Sequence, residues 1–255
     1  MIGSYIFNSV NSESFSLVCK SVKRPLLPAR KNKDLDVEGV SGAYDFGDDD
    51  YEIRKIIIKN AYIGTSFQEL RSRARSIAAW LSTKTWAPLI INDEPDKYYL
   101  AKVNDEIDLD TFLESGEADV TFECQPFAFS VDETSYTISN VTGAKSEVIT
   151  HAGTRRINYR SQNGSKFIIT VTGSWTTISF TLNGQTLNFT ESGSSATLII
   201  DNVGMTAYKN GLSKFDELTG DIDTFLNLIP GDNTLSISGT GLDCSVKVDF
   251  IPLWI

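Results

Sequence analysis

The 255-residue sequence is poor in the side chains that most enzymes use for chemistry. It has one histidine, His151, and three widely separated cysteines, Cys19, Cys124 and Cys244. Cysteines at such distances provide neither a disulfide framework nor the C-x-x-C spacing of zinc and redox sites, so we expect buried apolar thiols. His151 lies between turn residues in THAGTRR, where we expect a structural role.

Catalytic and cofactor motifs are also missing. The sequence contains no G-x-S-x-G nucleophile elbow, no G-x-G-x-x-G and no G-x-x-x-x-G-K-[ST] phosphate loop. None of its acidic clusters has the D-x-[DN]-x-[DN]-G spacing of a calcium loop, so we interpret them as solvated turns. These clusters are Asp48 to Asp50; Asp93, Glu94 and Asp96; and Asp221 with Asp223. The sequence therefore predicts no catalytic residue, no metal site and no cofactor.

The sequence has neither an excess of basic residues nor a long apolar run. Its net charge is -10 and its pI is near 4.7, which argues against a nucleic-acid-binding surface built from clustered Lys and Arg. No stretch approaches the roughly 20 apolar residues that span a bilayer, so we expect no membrane contact. The opening MIGSYIFNSV lacks the pattern of a secretory signal, and we expect synthesis in a cytoplasm.

The N-terminal part mixes strands with one helix. Strand patterns occur in SYIFNS, in FSLVC and in residues 53–59, whereas residues 20–52 predict a long loop, with or without a short strand in it. Apolar residues at helical spacing predict a helix from about Phe67 to Thr83, with Ser66 and Glu69 as a capping box. The apolar face of this helix is Phe67, Leu70, Ala74, Ile77, Ala78 and Leu81. LIINDEPDKYYLAKV predicts a hairpin, and residues 118–124 predict a half-buried strand.

The C-terminal part has dense turn signals and almost no helical pattern. Residues 167–171, 178–182, 197–200 and 234–238 predict strands of an antiparallel β-sandwich. Asn163-Gly164 and Asn183-Gly184 predict hairpin turns, because both residue types tolerate a positive φ. DTFLNLIPG predicts either a helical turn or a strand. We therefore expect a mainly β protein with an α+β domain at 1–132 and a sandwich at 133–255.

Two stretches resemble a known family. The hairpin PLIINDEPDKYYLAKV followed by ADVTFECQPFAFS is similar to the EPD-x-YY-x-A hairpin and DPF-like turn of siphophage distal tail proteins. Here the acidic position of that turn is Gln125, before Pro126 and Phe127. The helix QELRSRARSIAAWL and the stretches TLIIDN and FLNLIPGDNTLSISG also resemble this family, so the likeness extends over most of the chain.

The resemblance implies a structural protein at the distal end of a virion tail, made in the host cytoplasm. It implies a ring-forming belt domain at 1–132, a galectin-like sandwich at 133–255, and a hexameric ring, with stacked rings possible, around a channel for DNA. Its implied partners are the tail-tube protein and a tail-associated tip or fibre protein. We expect strand edges to supply the ring contacts. The candidate residues are Ile90, Ile91, Tyr98, Tyr99, Leu100, Val103, Ile56, Ile58, Val120 and Phe122.

Two other functions are weighed against this one. Trp175 in TGSWTT suggests a carbohydrate-binding sandwich that serves adsorption, since indoles stack on sugars. Core packing of Trp175 is the competing interpretation, and the H-x-N-x-R and W-G-x-E patterns of sugar-binding galectins are absent around it. A glycoside hydrolase that uses carboxylates such as Asp93 and Asp96 ranks third.

Overall fold

The computed structural model describes residues 3–31, 34–36, 38–39, 41–45, 50–63, 67–105 and 115–255. The chain divides into two compact units. The first, here called the closed-sheet unit, is Met1–Ala128 with Ile255, and the second, the sandwich unit, is Phe129–Trp254. That the chain has two domains divided after residue 132 stays a prediction.

The described chain is mostly strand, as the sequence predicts, with one α-helix. The elements of the closed-sheet unit are β1 Tyr5–Phe7, β2 Val10–Asn11, β3 Leu17–Lys23, β4 Asp34–Asp36, β5 Ala43–Asp45, β6 Arg54–Tyr62, α1 Phe67–Leu81, β7 Ala87–Ile91, β8 Lys97–Val103 and β9 Glu117–Cys124. The remaining strands are β10 Ala128–Ser130, β11 Thr134–Val141, β12 Lys145–His151, β13 Phe167–Trp175, β14 Thr177–Leu182, β15 Gln185–Phe189, β16 Gly193–Asp201, β17 Thr206–Lys209, β18 Leu212–Ser213, β19 Leu218–Gly220, β20 Gly231–Thr240, β21 Asp243–Phe250 and β22 Leu253–Trp254. Short 3-10 helices cover Ser12–Phe15 and Phe215–Glu217.

The main sheet of the first unit closes on itself. Its path is β2-β1-β7-β8-β9-β6-β3, and β10 and β22 pair off this path. The last strand on the path returns to the start, because Gly3 forms an antiparallel bridge with Cys19 and its carbonyl accepts a hydrogen bond from the Cys19 N–H at 3.0 Å. Strands β1, β7, β8, β9, β6 and β3 therefore form a closed antiparallel ring of strands, and closure removes free edges.

Alternating side chains fill the inside of this closed sheet. In β6, Ile56 and Ile58 are fully buried while Lys55 and Lys59 are exposed, as a period of two requires. Helix α1 covers the core with Trp80, whose Nε1 donates to the Phe7 carbonyl at 3.0 Å. The predicted helix is confirmed, although its capping residue Ser66 lies outside the described residues. The helical spacing in the sequence did not assign Trp80 to the buried face. It did assign Ala78 to that face, but the Ala78 side chain is exposed.

The second unit is an antiparallel sandwich, which confirms the predicted fold class. One sheet has the order β11-β21-β13-β16-β17-β18 and the other β12-β20-β14-β15-β19. Apolar residues on alternate positions of both sheets are buried, among them Val171 and Val246 in the first and Phe180 and Ile237 in the second. The four strands predicted here lie within β13, β14, β16 and β20.

The turn predictions for this unit had mixed outcomes. Asn183-Gly184 joins β14 to β15 as a two-residue hairpin, with φ of 50° and 81°. The hairpin prediction at Asn163-Gly164 was wrong: these residues form a turn, but the flanking β12 and β13 pair with other strands. In DTFLNLIPG, residues 223–230 form no helix and only one isolated bridge, between Leu228 and Ile157, and Gly231 is the first residue of β20. The Phe225 side chain is buried at a φ of 51°.

Candidate assembly surface

The strands predicted to supply ring contacts lie in the interior of the closed sheet. β6, β7, β8 and β9 carry all ten candidate residues, and each of these strands is paired on both sides. Their pairing is incomplete at some ends, since β8 meets β9 only at residues 101–103. The proposed mechanism, extension of the sheet through their free edges, therefore does not fit this topology. The sequence gives no sign of closure, which depends on the distant pair Gly3 and Cys19.

Six of the ten candidate side chains belong to the core of their own unit. Buried are Ile56, Ile58, Ile91, Tyr99, Val120 and Phe122, and half-buried are Ile90, Tyr98, Leu100 and Val103. Tyr99 is held inside by the buried Arg54, whose Nη1 donates to the Tyr99 hydroxyl at 3.2 Å. Only the half-buried four present substantial side-chain surface. The ring interface as a whole stays a prediction.

Sequence reasoning missed a β-arm at residues 24–53, which it interpreted as a long loop. β4 and β5 form a separate two-stranded sheet with Asp34 opposite Asp45 and Asp36 opposite Ala43. The pairing continues toward the base of the arm, where Arg30 bridges Tyr51. The signal for this arm is weak, because its strands are short and acidic, whereas strands favour β-branched and aromatic residues.

The base of the arm is fixed to the closed-sheet unit. The Arg24 guanidinium forms ion pairs with Asp93 at 3.1 Å and Glu94 at 3.5 Å in the β7–β8 turn. Tyr51 packs edge-on against the buried Phe127, with ring centroids 5.1 Å apart. These contacts hold the arm where it leaves β3 and returns to β6.

The arm combines two exposed leucines at its base with an acidic composition. Leu26 is 88% exposed and Leu27 is 61% exposed, unusual values for leucine next to a folded core. Residues 34–50 contain seven acidic and no basic residue. Within the described part of the chain, β4 and β5 pair only with each other. Their outer edges are therefore free to pair with another chain.

His151 has a structural role in the sandwich unit. Its ring is 1% exposed, its Nδ1 accepts from the Gly153 N–H at 3.2 Å and its Nε2 lies 2.8 Å from the Arg155 carbonyl. These partners define a neutral ring with the proton on Nε2. Burial lowers the pKa of His151, which keeps the ring neutral.

Trp175 does not offer a face for sugar stacking. It is 2% exposed, and its Nε1 donates to the Glu191 carbonyl at 3.0 Å. The indole lies so close to Gly193 that a Cβ at that position would be 2.5 Å from the ring. Trp175 is therefore a core residue, and the argument for sugar binding that rested on it fails.

The acidic clusters are engaged in turns and ion pairs. Asp93 and Glu94 pair with Arg24, and Lys97 lies 3.0 Å from Asp96. In the sandwich unit, Asp221 accepts from the Thr186 N–H at 2.6 Å. Asp48 and Asp49 lie outside the described residues. In the part of the chain that the structure describes, no group of three His, Cys, Asp or Glu side chains could hold a metal ion.

The three cysteines are buried and free, as the sequence predicts. Burial raises the pKa of each thiol, most strongly at Cys124. Among the described helices none is long and apolar enough to cross a membrane.

Comparison with known proteins shows which proteins this chain resembles. Residues 11–124 match the family described as the phage tail protein RIFT-related domain. The search of curated proteins finds no match.

One solved structure has the same fold over the whole chain. The SPP1 Dit (gp 19.1) protein is 14% identical, with a TM-score of 0.76 that covers 99% of each chain. It is described as a paradigm of the hub adsorption apparatus in phages that infect Gram-positive bacteria. The resemblance to siphophage distal tail proteins is thus confirmed at the level of the fold, and residues 11–124 are similar to a phage tail domain.

Proposed function

We propose that this protein forms a hexameric ring at the distal end of a siphophage tail, between the tail tube and the tip. The observation that carries the proposal is the fold shared with a hub protein over 99% of both chains. The phage tail domain at residues 11–124 supports it independently of that structure. In the ring, the tail-tube protein binds one face and the tip or fibre protein the other. The protein is made in the host cytoplasm and needs no cofactor.

Ring contacts come from the arm and from the exposed side of the β7–β8 hairpin. A cyclic ring joins one surface patch to a different patch on the next copy. The closed sheet has few free strand edges, whereas the outer edges of β4 and β5 in the arm are both unpaired among the described residues. The arm also carries the exposed Leu26 and Leu27 at its base. Ile90, Tyr98, Leu100 and Val103 are half-buried and complete the candidate surface.

The role is passive toward both DNA and chemistry. A net charge of -10 disfavours binding of the phosphate backbone, which suits a channel through which DNA passes. The carboxylates once considered for sugar hydrolysis, Asp93 and Asp96, each pair with a cation. We therefore propose that the protein catalyses no reaction.

The test is negative-stain electron microscopy of the purified chain at high concentration, with and without a tail-tube partner. We expect class averages with sixfold symmetry and an open centre. Single particles under all conditions would overturn the proposal.

A double variant links the ring to the arm. Leu26→Ser with Leu27→Ser removes exposed apolar surface and no core contact, so we expect a folded monomer that does not form rings. The matched control is Val148→Ser with Leu212→Ser, because these side chains are 50% and 68% exposed in the sandwich unit. Circular dichroism verifies folding of both variants.

A second function, saccharide binding by the sandwich unit, is favoured by one polar pocket. The pocket has a volume of about 200 Å³ and is lined by guanidinium, amide, hydroxyl and aromatic groups, which suit a sugar. Gln185 is fixed there, since its Nε2 donates to Thr224 at 2.7 Å and its Oε1 accepts from Asn227. A glycan array with the full chain and with Tyr159→Ala tests this function. Binding lost in the variant supports it, and an empty array refutes it.

A further inference from the structure

An open groove lies between helix α1 and the closed sheet. It has a volume of about 250 Å³ and a mostly apolar lining. Its walls include Leu17 and Val120 from the strands and the small side chains of Ala74 and Ala78 from the helix. Alanines four residues apart lie on one helix face and leave space where larger side chains would pack. Ala78 is exposed in this groove although its spacing matches the core face.

The groove has polar groups that lack a partner. Arg71 and Arg75 line it from the helix, and neither forms an ion pair or hydrogen bond with a described residue. Arg73, between them in sequence, is engaged by Glu69 at 3.2 Å and by the Ser16 hydroxyl at 3.2 Å. Asn60 also lines the groove but is 1% exposed, donates to the Ile58 carbonyl at 3.1 Å and has the buried Tyr5 hydroxyl as a neighbour, so it belongs to the core. An apolar groove with two exposed cations suits an acidic chain segment with apolar residues.

The arm has the composition that this groove requires. Residues 34–50 contain seven acidic residues and no basic one, interleaved with Leu35, Tyr44 and Phe46. Helix α1 has three arginines and a single acidic residue. The two surfaces are therefore complementary in charge, which favours encounter and orients docking.

The groove and the arm belong to opposite ends of the same strands. The arm leaves β3 after Lys23 and re-enters the sheet at Arg54 in β6. The groove lies at the other end, beside Leu17 of β3 and Asn60 of β6. Six residues of strand separate Leu17 from Lys23, a distance of about 20 Å. The arm and the groove are therefore separate surfaces of one unit, as a contact between successive copies in a ring requires.

We propose that the groove beside α1 receives the acidic arm of the neighbouring subunit. The inference rests on the proposed ring and names the acceptor surface within it. Donor and acceptor are different surfaces at opposite ends of one unit, so the contact is head-to-tail, and repetition of such a contact closes a ring when its rotation permits.

Cysteine cross-linking between two full-length variants tests the contact directly. One carries Ser41→Cys in the exposed turn between β4 and β5, and the other carries Ala78→Cys in the groove. The native cysteines are buried, so the new thiols react first. After mild oxidation of the mixture we expect a covalent heterodimer. The matched control replaces Ala78→Cys with Ser76→Cys, which is exposed on the opposite face of the same helix. We expect its yield to be several-fold lower.

Charge reversal gives a second measurement. Adding Arg71→Glu and Arg75→Glu to the Ala78→Cys chain should lower the cross-link yield at least tenfold. The control pair Lys23→Glu with Lys84→Glu changes the charge equally at exposed sites outside the groove and should leave the yield unchanged.

Microscopy of the same samples separates this inference from the ring itself. Rings without preferential cross-linking at residue 78 would overturn the groove contact and leave the ring intact. Cross-linking at residue 78 without rings would support the contact and overturn the ring. Absence of both, in the presence of the tail-tube partner as well, would overturn both proposals.

Discussion

The two units deal with strand edges in different ways. The closed-sheet unit joins β3 to Gly3, two residues before β1, and this closure removes edges of its main sheet. The sandwich unit keeps two open sheets. Each has one short edge strand, β18 or β19, of two and three residues, and one long edge strand, β11 or β12, of eight and seven residues. Short edge strands discourage pairing with other chains. Pairing with another chain is therefore open to the arm and to the long edge strands of the sandwich, and not to the interior strands of the closed sheet.

The largest expected effect tests how far the closed sheet depends on its aromatic core. Trp80→Ala should destabilise the protein by about 3–5 kcal/mol, because it empties a buried site. Trp80 stacks on Phe15 at 4.8 Å and on Tyr5 at 5.7 Å between centroids. Urea denaturation measures the free energy of unfolding.

Trp86→Ala is the control for this change. Trp86 is half-buried and its ring lies 4.8 Å from the Lys102 Nζ, a contact worth about 1 kcal/mol. Equal losses in the two variants would mean that α1 does not cap the core through Trp80.

The next prediction concerns a buried guanidinium of the closed-sheet unit whose hydrogen bonding is incomplete. Arg54 is 3% exposed, and its Nε and Nη2 atoms have no acceptor among the described atoms. Tyr99→Phe removes the acceptor of its remaining hydrogen bond and keeps the ring, so we expect a loss of about 1.5–3 kcal/mol in urea denaturation. Tyr208→Phe, at a 39% exposed residue of the sandwich unit, should change little. If Tyr99→Phe leaves the free energy of unfolding unchanged, water already solvates the Arg54 guanidinium.

Local patterns in the sequence predicted much of this fold. The β7–β8 hairpin, α1, β6, β9 and the sandwich strands follow from periods of 2 and 3.6 residues and from turn chemistry. These signals depend on neighbours in sequence. The Asn183-Gly184 hairpin is an example, because its φ values are a property of the two turn residues themselves.

Features that depend on distant contacts were not predictable in this way. Closure of the sheet depends on Gly3 and Cys19, which no periodicity relates. Burial of six of the ten candidate ring residues follows from that closure. The arm was missed because its strands are acidic and three residues long, although Gly39 and Gly42 mark the turn between them.

A turn in the sandwich unit provides a smaller effect. Gly184→Ala places a side chain at a φ of 81° and should cost roughly 1–2 kcal/mol. Gly143→Ala is a matched control, because an added Cβ meets open space at both sites and only Gly184 has a positive φ. We expect the control to stay within about 0.5 kcal/mol of the parent in urea denaturation. Equal effects would show that the Asn183-Gly184 turn tolerates alternative geometry.

Two groups, one in each unit, should also respond to acid in different windows. Burial lowers the pKa of His151 from its usual 6.5, so the unfolded chain binds a proton first and stability is lost as the pH falls below 6.5. Hydrogen bonds from Lys20 and Lys59 lower the pKa of the half-buried Glu117 from 4.5 to about 2, so its contribution is present above pH 4.5 and lost between 4.5 and about 2. Urea denaturation over a pH series measures both slopes. His151→Gln should flatten the higher window alone. Glu117→Gln should reduce the lower slope without removing it, because cations also lower the pKa of Glu191 and Asp249 in the sandwich unit. A slope that persists in the matching variant would assign that window to other groups.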